Sequence, residues 1–329
     1  LLKETMTSLQ LTFNFKKHIW SAPSDYKDLS EAKEIAIDLE TRDDGISKGL
    51  GAGWATGAGE IIGFAVATEG WQGYYPFGHF GGGNLIKEQV LKYMHDICSL
   101  PCAKIFHNAQ YDVGWLQAYG IDVKGEIIDT MVAGALIDEN RYTYKLNALA
   151  KDYIGELKAE TDLLEAAKAH GVDPKMEMWK LPAEHVGYYA EQDARLTYLL
   201  WQRFKHEIFQ QNLETIWTLE KNLLPILIRM RKKGIRVDIE RAEKLKEDFV
   251  AREKKVNLHI WAARQIGFAF DMIGIDYPKT PKSGEPSFTQ NWLMNSNQEI
   301  SKLIVEAREI NKFHNTFLNS IMKYEYKGR

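Results

Sequence analysis

The segment KEIAIDLET constrains the fold more than any other stretch of the chain. Ile35, Ile37 and Leu39 alternate with Ala36, Asp38 and Glu40, a period of two that reads as a buried strand. Successive side chains of a strand point to opposite faces, so Asp38 and Glu40 project together, about 6–7 Å apart along the strand. Two carboxylates so placed can bracket a pair of metal ions spaced roughly 3.5–4 Å apart. Alone, an Asp-x-Glu pair is common and fits a solvated strand end equally well.

Two further segments change that balance. HNAQYDVGWLQAYG predicts a helix on which Asn108 and Asp112 share a face, while Val113, Leu116 and Tyr119 turn toward a core. EHVGYYAEQDARLTYLLWQRF predicts another, with Tyr189 and Asp193 one turn apart and Leu196, Leu199 and Leu200 continuing the apolar stripe. Taken singly, Tyr189 reads as a half-buried helix tyrosine and Asp193 as an exposed charge. Taken together they read differently, because like charges ~5 Å apart repel by about 3 kcal/mol at an effective dielectric near 20. A fold that converges such carboxylates must neutralise them with cations or raise their pKa values. Acidic ligands offering only oxygen favour Mg²⁺ or Mn²⁺ over zinc, which prefers His or Cys.

The three segments resemble the Exo I, Exo II and Exo III motifs of the DEDD superfamily of 3′–5′ exonucleases. That resemblance implies an α/β, ribonuclease H-like mixed sheet flanked by helices. It covers residues 30–204; IIGFAVATEGWQGYYPFGH resembles the second and third strands, and EIIDTMVAGALIDEN the stretch after Exo II. The third motif is Tyr-x-x-x-Asp, the tyrosine subclass. The histidine subclass would place His where Tyr188 stands, and His185 lies eight residues before Asp193. The resemblance implies that Asp38, Glu40 and Asp193 ligate the tighter of two divalent ions, and Asp38 with Asp112 the second. It further implies that Tyr189 orients the attacking water and that Glu40 also contacts the water or the 3′-hydroxyl. Asn108, Thr41 and Tyr111 match the motif surroundings as weaker candidates for contact with the DNA strand.

The rest of the chain is organised differently. At 329 residues the expectation is two domains, 1–204 and 205–329. The first carries 20 Lys+Arg against 29 Asp+Glu, a charge of −9; the second carries 22 against 16, or +6. A basic region beside an acidic catalytic domain suits a DNA-handling protein. LETIWTLEKNLLPILIRMRKKGIRVDIERAEKLKEDF predicts two amphipathic helices. Gly234 stops the first, Asp238 caps the second, and Pro225 kinks or breaks the first.

LLPILIRMRKKGIRVD resembles the helix opening the polymerase part of family A DNA polymerases, TPKSGEPSFTQNWL a thumb-tip segment, and VEAREINKFHNTFL the returning thumb helix. The resemblance implies an α-helical thumb-like region that grips duplex backbone, with Lys279, Lys282 and Ser283 as candidate phosphate contacts. The chain ends at KYEYKGR, where a palm would begin, and opens on Leu1 with Met6 its first methionine. These features suggest a trimmed N-terminal piece of a family A polymerase, and the spare N-terminus suggests a phage-encoded one.

Other features weigh less. Cys98 and Cys102 read as two ordinary buried thiols in a reducing, cytoplasmic setting, and no apolar run is long enough to span a bilayer. The insert RDDGISKGLGAGWATGAGE reads as a mobile loop or long hairpin near the site, with Asp43 and Asp44 as turn residues rather than ligands. Asp129 reads as a helix cap and His107 as a packing residue. Trp71, Tyr74, Tyr75, Phe77 and Phe80 read as strand-core aromatics more than as base-stacking ones. Residues 157–182 read as a lid-like segment in which Lys175 or Lys180 meets phosphate. The leading function is a proofreading exonuclease acting on a single-stranded DNA 3′ end, with the duplex at the helical region and replication proteins left open as partners. The alternatives are an RNase D-like exoribonuclease or a non-catalytic DNA-binding module.

Overall fold

The alternating segment is the central strand of a mixed sheet. The computed structural model describes residues 20–158, 160–255 and 259–329. Within it β1 (Glu34–Asp43) pairs antiparallel with β2 (Gly59–Thr68) and parallel with β4 (Ala103–Phe106). β3 (Trp71–Pro76) and β5 (Ile127–Asp129) complete the order β3-β2-β1-β4-β5. The first-unit helices are α1 (Asp44–Ser47), α2 (Lys87–Ser99), α3 (Ala109–Ala118), α4 (Thr130–Ile137), α5 (Leu146–Ile154), α6 (Thr161–His170), α7 (Ala183–Gln210) and α8 (Glu214–Lys233).

The two faces of β1 belong to two cores. Ile35, Ile37 and Leu39 pack with Val90, Met94 and Ile97 of α2 and with Val113 and Leu116 of α3. The opposite face is built from small residues. Ala36, Ala65 and Ala67 lie against Ala190, Ala194 and Leu200 of α7, together with α4 and α5. Alanine on both partners lets the long helix come close to the sheet, and this is the face on which Asp38 and Glu40 project. The fold is therefore the helix-flanked mixed sheet expected of the exonuclease resemblance.

The glycine-rich insert is a long hairpin with a packed head. Asp43 accepts from Ile46 N–H (2.8 Å) and, with both oxygens, from Gly53 N–H (2.9 and 3.0 Å), so it ends β1 as the cap of α1 rather than standing in a turn. Trp54 at the tip is buried against Gly114 of α3, where a Cβ would sit 2.3 Å from the indole. Tyr74, Tyr75 and Phe77 are core residues, but Phe80 is 84 % exposed and meets Trp179 edge-on at 6.4 Å. The lid segment has a satellite core of Leu163, Ala166, Ala167, Met178, Leu181 and Val186, against which Tyr189 packs.

Two expectations about helices need correction. Asn108 does not share a helical face with Asp112: it precedes α3 with φ 68° and ψ 53°, a left-handed conformation that Asn tolerates. That turn aims the consecutive N–H groups of Asn108 and Ala109 at Asp129. Pro225 does not break α8, which runs through it to Lys233; Gly234 (φ 66°) then ends the helix, and Asp238 accepts from Arg241 N–H.

The chain divides into compact units at Lys232/Lys233 rather than at 204/205. The reason is packing: Trp217, Leu224 and Ile228 of α8 are buried in the two cores of the first unit. The second unit contains α9 (Ile239–Lys255), α10 (Ala263–Met272), α11 (Gln290–Asn295), α12 (Glu299–Lys312) and α13 (Asn319–Tyr324). A π-helical stretch, Phe313–Leu318, joins the last two. Ile266, Phe270, Phe288, Leu293 and Ile304 form its core. Among the described residues no helix is long and apolar enough to cross a membrane.

Candidate active site

β1 and α7 bring the acids together. Asp38 and Glu40 come from the strand and Asp193 from the helix packed on its alanine face, and their nearest oxygens all lie within 4.8 Å of one another. At Glu40 the strand pairing changes: Glu40 faces Gly63 and Thr41 faces Ile61, so β2 contributes one extra residue. Such a bulge bends its strand and re-aims neighbouring side chains. Gly63 leaves room for the Tyr74 hydroxyl, which would lie 1.9 Å from a Cβ there; that hydroxyl is bonded to His79 Nε2 at 2.7 Å.

Asp112 stands behind this group. Its Oδ1 accepts the Leu39 N–H at 3.0 Å, which ties α3 to β1 and leaves its second oxygen free of protein partners among the described hydrogen bonds. Burial, then the charge of Asp38, raises its pKa well above the carboxylate range. Three of the four expected carboxylates thus share one focus, with the fourth beside Asp38.

The electrostatics are those of crowded acids, with Asp193 buried and Asp38 and Glu40 half-buried. Burial, followed by the charge of Asp193, pushes Asp38 up to about 7, against the pull of Lys158. Glu40 is raised well above its ordinary value by burial and then by Asp38 and Asp193. Tyr189 is likewise held far above 10, first by burial and then by the neighbouring carboxylates, so it carries its proton at neutral pH. The Asp193 carboxylate is buried with Oδ2 paired to Lys158 and Oδ1 without a hydrogen-bond partner among the described residues. An unpaired carboxylate oxygen in a buried site is costly, and oxygen donors alone suit a hard divalent cation. The residues present fit such an ion.

Lys158 is the residue at the acidic focus that sequence reasoning missed. It lies in the lid segment singled out for phosphate contacts, yet Lys175 and Lys180 do not reach the acids. Lys175 is exposed, and Lys180 pairs with Glu177 beneath Trp179. Lys158 instead donates to Asp193 and to the Tyr189 hydroxyl (3.2 Å), with its ammonium 4.9 Å from the tyrosine ring centroid. No spacing rule ties a lysine 35 residues upstream to Asp193, and only the tertiary fold joins them.

The weaker candidates are engaged or dispersed. Thr41 Oγ1 and the Tyr111 hydroxyl lie 2.6 Å apart, and Tyr111 donates to Asp43 at 3.0 Å, so both brace the hairpin. Asn108 is exposed at the start of α3. Lys279, Lys282 and Ser283 are exposed on a turn of the second unit. Asp129 is the cap expected, and His107 Nδ1 lies 2.9 Å from Thr130 Oγ1.

Residues 24–208, more than half the chain, match the 3′–5′ exonuclease family of family A DNA polymerases, and the chain belongs to that family. It is thus a nuclease by class. A DNA-directed DNA polymerase of Pseudomonas phage M6 is 34% identical over 94% of this chain and 49% of its own length. DNA polymerase I of Pseudomonas aeruginosa is 25% identical over 90% of this chain and 33% of its own. The chain therefore spans half or less of these relatives. The POL domain of Pol1 from M. smegmatis, solved with a DNA primer-template and dNTP, is similar in fold. Its TM-score is 0.63 at 15% identity, over 89% of this chain and 47% of that one.

Proposed function

We propose that this chain is the proofreading 3′–5′ exonuclease portion of a family A DNA polymerase, releasing 5′-mononucleotides from a single-stranded DNA 3′ end in the cytoplasm. The observation that carries the reading is the focus of Asp38, Glu40 and Asp193 within 4.8 Å, with one buried Asp193 oxygen left unpartnered. Asp38, Glu40 and Asp193 would hold one divalent ion, Mg²⁺ or Mn²⁺, and Asp38 with the free oxygen of Asp112 a second. Bound there, the ions would acidify the attacking water and offset charge on the departing 3′ oxygen.

The protein's own groups do the remaining work. Tyr189, kept protonated by its surroundings, offers a hydroxyl to orient water at the edge of the acidic focus. Asp112, fixed by the Leu39 N–H, holds its free oxygen beside Asp38. The second unit is read as a thumb-like region contacting duplex backbone, with Lys279, Lys282 and Ser283 on its exposed turn meeting phosphate.

Release of mononucleotides from a 3′-labelled single strand should require Mg²⁺ or Mn²⁺, stop with EDTA, and vanish in the Asp38→Ala/Glu40→Ala double variant. Undiminished release in that variant would sink the reading. Faster digestion of an RNA strand than of the matching DNA strand would favour an exoribonuclease instead.

A further inference from the structure

We propose that Lys158 is a built-in competitor for the divalent cation, an ammonium that occupies the Asp193 carboxylate and the Tyr189 hydroxyl and must leave both when an ion binds. The inference rests on the reading of Asp38, Glu40 and Asp193 as ion ligands. Lys158 is largely buried, and its Nζ donates to Asp193 Oδ2 and, at 3.2 Å, to Tyr189. Burial works against its charge, but Asp193, Asp38 and Glu40 outweigh that cost and hold it as an ammonium. It is the one cation that the described contacts place on the acidic focus.

Two cations cannot share that position. An ion held by Asp38, Glu40 and Asp193 would stand within a few ångströms of the ammonium, where like charges repel strongly in a partly desolvated site. Among the described residues Asp193 Oδ1 has no hydrogen-bond partner, so an incoming ion has a first oxygen to bind before Lys158 gives up the second. The Lys158 backbone N–H is held by Asn147 Oδ1 at 3.1 Å, a bond that a swing of the side chain leaves in place. Its side chain alone must swing. Departure also frees the Tyr189 hydroxyl, which accepts from Lys158 while the pair is intact. Ion loading and release of the water-orienting phenol are thereby one event.

The consequence is a threshold. Lys158 neutralises part of the acidic cluster when no ion is bound and raises the ion concentration needed to load the site. The test is Mn²⁺ binding to the EDTA-stripped full chain, followed by the electron paramagnetic resonance signal of free Mn²⁺. Lys158→Met should bind roughly tenfold tighter than the unchanged chain or better, the order expected when a competing charge leaves a partly buried acidic site. Lys158→Arg, which keeps the charge, should stay near the unchanged affinity. Equal or weaker binding by Lys158→Met overturns the proposal while leaving the ligand assignment standing. Absence of any Mn²⁺ binding by the unchanged chain defeats that assignment too.

A second measurement needs no variant. Acetylation of Lys158 by an N-hydroxysuccinimide ester, read by peptide mass spectrometry, should rise several-fold on adding Mn²⁺ as the ammonium leaves its ion pair. Labelling that does not change with Mn²⁺ overturns the proposal.

Discussion

Asp129 and Asp193 are chemically identical and almost equally buried, at 3 % and 4 % exposed, yet the chain treats them in opposite ways. Asp129 receives N–H groups from Asn108 (3.0 Å), Ala109 (2.8 Å) and Met131 (2.9 Å), so both of its oxygens are satisfied by backbone. Asp193 has one oxygen on a lysine and the other on no donor among the described residues. A buried carboxylate with a full set of donors is a structural part, because its desolvation is offset by hydrogen bonds that also cap α4 and fix the start of α3. A buried carboxylate left short of donors, beside two more acids, costs the fold free energy and makes a group that could hold a metal ion.

The widest separation between the two regions should appear in catalysis. Asp38→Asn removes a charge from the acidic focus and should cut mononucleotide release by about 10³-fold or more, since an ion at such a site supplies several kcal/mol of transition-state stabilisation. Its melting temperature in EDTA should hold steady or rise. Asp129→Ala should do the reverse. Losing three charge-assisted bonds and orphaning their N–H donors should cost about 3 kcal/mol of stability, measured by urea unfolding. The folded fraction should keep its nuclease activity per molecule. If Asp38→Asn instead unfolded the chain and Asp129→Ala merely stopped the chemistry, the distinction drawn from hydrogen-bond satisfaction would be wrong.

The two regions were not equally legible before the fold was seen. Strand β1 was readable because alternation is a local property, and it placed Asp38 and Glu40 on one face without further help. Asp129 was readable because a carboxylate just before the apolar run of α4 is a local helix-start signal. Asp112 and Asp193 needed the family motifs, since nothing local says that α3 and α7 converge on the strand. Lys158 was not readable at all: its partners depend on how the lid folds back over α7. The split between compact units at Lys232/Lys233 was hidden for a related reason. The charge change near residue 205 is a feature of composition, whereas α8 is assigned by the buried faces of Trp217, Leu224 and Ile228.

Stability against pH offers a finer separation. With its pKa near 7 in the folded chain, Asp38 keeps a proton that the unfolded chain has released above about 4. Folding stability in EDTA should therefore fall as pH rises from about 4 through 7, in the same direction as the raised Glu40 and Asp112 require. His79 and His107 act the other way. Burial, joined at His107 by the charge of Lys158, lowers both to about 4, so their contribution is lost as pH falls from 6.5 toward 4. The readout that isolates the acids is the difference between the unchanged chain and Asp38→Asn across pH. The unchanged chain should lose stability relative to the variant as pH rises, and saturating Mg²⁺ should remove that difference. A difference that persists unaltered in Mg²⁺ would place the shifted proton elsewhere.

Tyr189 lies between the two kinds of region, and its substitution should have the smallest effect. Its ring belongs to the satellite core of the lid, and its hydroxyl faces the acids and accepts from Lys158. Tyr189→Phe keeps the packing and removes only the hydroxyl, so the melting temperature should be unchanged. If the phenol orients water by one hydrogen bond, kcat should drop roughly tenfold, the kinetic equivalent of about 1–1.5 kcal/mol, with KM for a single strand unaltered. A loss as large as that of Asp38→Asn would mean that the hydroxyl takes part in proton transfer, despite burial and carboxylates that hold its pKa high. A loss in KM alone would move Tyr189 from the water to the strand. Single-turnover release from a 3′-labelled strand at saturating Mn²⁺ distinguishes these outcomes, because it reads the chemical step apart from binding.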